Sequence, residues 1–280
     1  MKPPSQPVPA EARSRARLWV LSLGLLLTPV AVAIAARAVP HLRVAETTGN
    51  VSAFVGATLF PILGLSLAAR VEVRLAVALT VAAIAAAALV TLALWQPTPV
   101  VTVLLVDGAL VSISWALGCT LGRRVQHASH LLPACVVAAS ADLVSLLSPE
   151  GPSHAIAESE RALSVLAVWF PVPGSSALAP ALGVGDLLFM ALAMGVARAH
   201  TLPYARCVIA CGVGTALAGV AAAYSGLAVP ALVPIAAMLV LALPAIRRLR
   251  RSDRAVALGS MLIAGTLALA TLVRTLLGVR

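Results

Sequence analysis

Residues 75–95 read LAVALTVAAIAAAALVTLALW, twenty-one residues without a charge. A helix rises about 1.5 Å per residue, so a run of this length crosses the ~30 Å hydrocarbon core of a bilayer. The run is continuous and rich in Ala, Leu and Val, whereas a barrel strand is short and alternates apolar with polar residues. Working outward, eight further apolar stretches fall at about 18–39, 51–69, 98–122, 131–148, 177–197, 204–224, 228–246 and 255–277. The expected fold is all-α: a polytopic membrane helix bundle of about nine transmembrane helices. Residues 18–280 form its single membrane domain, and residues 1–17, with Pro3, Pro4, Pro7 and Pro9, read as a flexible basic tail. Ala33-Ile34-Ala35 looks like a signal-peptidase site, but the apolar run before it exceeds a usual signal-peptide core, so an uncleaved anchor is expected.

The composition of the whole 280-residue chain agrees. It is 61% hydrophobic and 11% charged, against about 45–50% and about 25% for a soluble domain. That much apolar surface needs lipid as its solvent, which excludes a soluble enzyme and a disordered chain. The net charge of +10 raises the question of nucleic acid. The positive residues are almost all arginine, however, and sit in short clusters between apolar runs, as membrane proteins use them to fix orientation; no nucleic-acid partner is expected. Cys119, Cys135, Cys207 and Cys211 lie inside apolar runs, without metal-type spacing, and read as small core residues.

Orientation follows from counting. With a cytoplasmic N-terminus, fifteen Lys and Arg residues, among them Arg70, Arg74, Arg123, Arg124, Arg198 and Arg247, fall on the cytoplasmic side. Five (Arg37, Arg43, Arg161, Arg274 and Arg280) fall on the other. That bias places the longest loop, roughly 149–176, outside the cytoplasm of a cell whose plasma or inner membrane holds the chain.

Three of the four aspartates, Asp107, Asp142 and Asp186, lie within these spans, where an ionisable group costs about 2.5–3.5 kcal/mol on insertion scales and needs a reason. Asp142 comes late in the fifth stretch and Asp186 early in the sixth. Consecutive spans run antiparallel, so the two sit at similar depth. Two close carboxylates cannot both ionise cheaply, and such a pair supplies both an acid and a base. Gly183 and Gly185 clear side chains from beside Asp186, letting a backbone approach. Ion or proton conduction, or carboxyls bonded to helix backbones, would use the same residues. Asp107, beside Gly108, reads as a carboxyl hydrogen-bonded within the bundle, with a water route to the pair as its functional alternative.

Taken in series, three segments resemble the presenilin family of intramembrane aspartyl proteases. Ala141-Asp142-Leu143-Val144-Ser145, with the Pro149-Glu150-Gly151-Pro152 turn after it, looks like the family's first catalytic segment. Gly183-Val184-Gly185-Asp186 matches the second motif, Gly-x-Gly-Asp, and Pro230-Ala231-Leu232 the third. The resemblance covers about 131–246 and implies a presenilin-like fold in which Asp142 and Asp186 are catalytic. It implies also that Gly183, Gly185, Pro230, Ala231 and Leu232 shape the substrate path, and that the substrates are transmembrane helices of other membrane proteins. It implies no metal and no organic cofactor. Three departures stand out. Ala141 replaces the family's tyrosine. The arginine count puts the 149–176 loop outside, as in signal peptide peptidases rather than presenilins. The first catalytic aspartate also comes one span earlier than usual.

Other chemistries fail on inventory. No HExxH zinc motif or phosphate-binding loop is present, and His41, His127, His130, His154 and His200 all fall in or beside loops rather than opposite an intramembrane serine. A proton or cation carrier using the same carboxylates, or an inactive relative that binds helices without cutting them, remains the alternative. Finally, Ser164–Phe170 is rich in strand-favouring residues and is followed by Pro171 and Pro173. It is expected as a strand beside which an unwound substrate can add, or as an interfacial loop anchored by Trp169.

Overall fold

The computed structural model describes residues 10–95, 99–225 and 229–277. Its helices are α1 (Ala10–Ala38), α2 (Glu46–Ala68), α3 (Leu75–Trp95), α4 (Pro99–Ser114), α5 (Thr120–Arg124), α6 (Leu131–Leu147), α7 (Pro152–Glu158), α8 (Glu160–Leu166), α9 (Val184–Ala199), α10 (Tyr204–Ser225), α11 (Leu232–Ala242) and α12 (Arg254–Leu276). A π-helical turn, Trp115–Cys119, joins α4 to α5 in one continuous rod. The result is a helical bundle with, among the described residues, seven helices long and apolar enough to cross a membrane. Their outward faces carry large exposed apolar side chains, such as Leu258, Leu262 and Leu269 of α12, as lipid-facing surfaces do.

Three features depart from the expected pattern. The first helix begins at Ala10, inside the segment read as a flexible tail, while residues 1–9 of that tail lie outside the described residues. The stretch at 177–197 is not one helix. Its first residues form strand β2 (Leu178–Gly183), antiparallel to β1 (Ala167–Pro171), and only α9 continues as helix. Pro180, which has no N–H, suits a two-stranded edge better than a helix interior. The stretch at 228–246 is also shorter as a helix; residue 228 is outside the described residues. Here α11 starts after Pro230 and stops before Pro244, because Leu243, preceding a proline, is pushed to φ −119°, ψ 75°. The bundle therefore carries a β-hairpin that the all-α expectation did not contain.

The core is centred on α9. Met190, Ala191, Ala193, Met194 and Val196 are fully buried along it. The rod of α4 and α5 reaches α9 closely because Gly118 and Gly122 face the Leu188 and Leu192 carbonyls, where a Cβ would collide. Trp115 in the π turn is buried and its indole N–H donates to the Ala68 carbonyl at 3.0 Å, tying this rod to the end of α2. All four cysteines are buried and free, as core residues.

The two ends of the bundle differ in charge. At one end Arg123 donates to the Ala69 and Val71 carbonyls (2.8 and 2.7 Å), Arg70 and Arg198 both stack on Tyr204, and His130 meets Asp253 at 3.0 Å. These contacts gather the arginine-rich turns after α2, α5, α9 and α11 together. At the other end the Gly174 N–H donates to Val39 O (3.0 Å), and Arg161 donates to Ala93 O (2.9 Å).

Candidate active site

Asp142 sits one turn before the end of α6, half-buried. Its Oδ2 accepts the backbone N–H of Leu232 at 3.1 Å. Leu232 is the first residue of α11, and the opening N–H groups of a helix have no partner inside it, so a carboxylate placed there gains both a donor and the favourable end of the helix dipole. Pro230 and Ala231 form the turn that presents this N–H: Val233 N–H donates to Pro230 O (3.4 Å) and Ile235 N–H to Ala231 O (3.2 Å). The three residues of the third motif thus act on Asp142 mainly through backbone geometry.

Asp186 lies in the first turn of α9. Its Oδ2 accepts the N–H of Gly183, the residue that caps this helix, at 3.1 Å. That bond fixes the side chain and would be made by any helix-capping aspartate. What distinguishes Asp186 is its setting: α9 packs against α6, and Gly185, the residue before Asp186, lines the same groove as Asp142. Two carboxylates from neighbouring helices are thus each held by one backbone N–H.

Beside Asp142 a groove of about 920 Å³ runs between α6, α12 and the turn after α6. Ala141, Asp142, Ser145, Gly185 and Leu232 line it. Gly185 is exposed to it and has nothing within 4 Å of where a Cβ would lie, whereas a Cβ on Gly183 would touch only Asp186 itself, at 3.5 Å. Of the two glycines, Gly185 is the one that leaves room for a chain. Position 141 also faces the groove, so alanine there leaves space where a tyrosine ring would stand.

The turn after α6 folds back on the helix. Ser145 Oγ donates to Ser153 Oγ at 2.7 Å and accepts the Ser153 N–H at 2.8 Å. Gly151 packs against the Ser145 carbonyl so closely that no side chain would fit. This brings Glu150 to the groove wall, where it has no charged partner among the described residues.

The far wall, Ser260, Ile263, Ala264 and Leu267 of α12, was not foreseen. The sequence of α12 shows only hydrophobicity, and its packing on α6 is a purely tertiary fact. Trp169, expected in a strand or interfacial loop, is in strand β1. The strand spans 167–171, however, and α8 takes up 160–166. One edge of β1 pairs with β2, and on the opposite edge the Trp169 N–H is taken by Asp107 Oδ1 at 3.0 Å. The outer edge of β2, with Pro180 exposed, is paired by no backbone group among the described residues. Among the described residues no three His, Cys, Asp or Glu side chains are grouped to hold a metal ion.

Compared with known proteins, the chain matches no family model, no curated protein and no solved structure.

Proposed function

We propose that this chain is an intramembrane aspartyl protease, an aspartic endopeptidase that hydrolyses peptide bonds within transmembrane segments of other membrane proteins. The observation that carries the reading is the convergence of three segments distant in sequence. Asp142 accepts the Leu232 N–H beside an apolar groove, and Gly185, next to Asp186, lines that same groove. In the reaction a water lies between the carboxyl groups. The ionised one takes its proton as the oxygen attacks the peptide carbonyl, and the neutral one protonates the carbonyl oxygen. Neither metal nor organic cofactor takes part.

A helical substrate must unwind first, because its carbonyls are bonded and covered. The groove accepts apolar chain, and the free edge of β2 offers backbone partners for a segment that has lost its helical ones. This moves strand addition from β1, as read from the sequence, to β2. The short helices α9 and α11 complete nine membrane elements in a presenilin-like order. The arginine-rich end and the N-terminus are cytoplasmic, and the 149–176 loop is outside.

The test is incubation of the purified protein with a panel of single-span helices, with cleavage products read by mass. Wild type cuts at least one helix and Asp142→Asn cuts none. No cleavage by wild type across the panel, with proton or cation flux in vesicles lost in both aspartate variants, would instead establish a carrier.

A further inference from the structure

Asp107 is the one fully buried carboxylate among the described residues, and the site chemistry does not use it. It sits in mid-α4, and its Oδ1 accepts the Trp169 N–H at 3.0 Å. Its Oδ2 has no partner among the described residues. The β1–β2 register slips between Val168 and Trp169, so the ladder is irregular at this residue. At this irregularity Asp107 supplies the acceptor for the Trp169 N–H. An N–H left buried without one would be expensive.

The same strand is fixed next door, where Phe170 stacks on Phe60 of α2 with ring centroids 5.8 Å apart and Gly56 leaves it room. β2 then passes straight into α9: the strand ends at Gly183 and the helix begins at Val184. No flexible linker separates the pinned hairpin from Asp186, whose own carboxylate is tied back to Gly183.

We propose that Asp107 is a positioning residue: by accepting the Trp169 N–H it pins the β1–β2 hairpin and thereby sets the place of Asp186. The hairpin link to catalysis rests on the protease reading. What the role needs is an acceptor oxygen, not a proton. Asparagine presents that oxygen in the same place, whereas leucine fills the volume without one.

The test compares wild type, Asp107→Asn and Asp107→Leu, each purified and monodisperse. Amide hydrogen exchange is followed in the 165–172 segment, alongside cleavage of a single-span helix. Asp107→Asn is expected to keep wild-type protection and cleavage within about twofold. Asp107→Leu is expected to exchange at least about tenfold faster there and to lose at least about tenfold in kcat. Should leucine not yield folded protein, Asp107→Ala is read by the same criteria. Unchanged protection in the leucine or alanine variant overturns the proposal. So does loss of cleavage in Asp107→Asn with protection intact, which would make Asp107 a proton carrier. If wild type itself cuts nothing, the protease reading fails, and the exchange comparison still decides whether Asp107 holds β1.

Discussion

Leu232 and Asp142 are ninety residues apart, yet the backbone N–H of the first donates to Oδ2 of the second at 3.1 Å. A leucine that looks like one more membrane side chain works here through its main chain. The side chain can therefore change while the bond persists. Leu232→Ala is expected to lower cleavage less than about threefold. Pro230→Gly loosens the turn that presents the N–H by roughly 1 kcal/mol of backbone entropy, about fivefold in rate. Initial-rate assays of the two variants check the order; a larger loss in Leu232→Ala would refute it.

Asp142→Asn and Asp186→Asn should each abolish cleavage and leave a folded protein. Asparagine keeps an oxygen for the Leu232 and Gly183 N–H groups and cannot relay a proton. Activity against pH should be bell-shaped, with two apparent values that belong to the pair. Retention of wild-type cleavage in either variant ends the aspartyl protease reading.

Topology is open to labelling. The four native cysteines are buried, so a cysteine at exposed Ser176 gives a clean signal. It should react with a membrane-impermeant thiol reagent on intact cells. Labelling only after lysis would put the loop in the cytoplasm.

Glu150 lends the groove a charge, and its effect on substrate choice is measurable. Wild type should prefer helices with a basic residue flanking the end that emerges beside the 149–176 loop. Glu150→Lys should reverse the preference toward an acidic flank, by about threefold or more in kcat/KM. Equal rates for both substrates with both enzymes would remove Glu150 from specificity.

The turn before α12 carries a pH-dependent tie to α6. Hydrogen bonds from His130 and Ser252 hold the Asp253 carboxyl below its ordinary range. Because its folded value is lowered, its contribution is complete above the ordinary carboxylate value of about 4 and is lost as pH falls through the lowered one. Thermal melts in detergent should lose stability in that acidic window, and Asp253→Asn should flatten the loss. An identical acid profile in both proteins would show that the tie contributes nothing.

Sequence by itself determined that this chain is a helical membrane bundle, because twenty-residue apolar runs have no other stable place. It also singled out Asp142 and Asp186 as candidates, since carboxylates in such runs are costly and these two fall at similar depth on consecutive spans. Periodicity could not find the hairpin. Residues 178–183 are as apolar as the helix that follows, and only pairing with 167–171 makes them a strand. Nor could it name the partner of Asp107, a backbone N–H sixty-two residues away, or the α12 wall of the groove, whose side chains differ in no way from those facing lipid. Those features were decided by tertiary contact, because backbone hydrogen bonds and helix packing join residues irrespective of side-chain type and leave no mark in a hydropathy pattern.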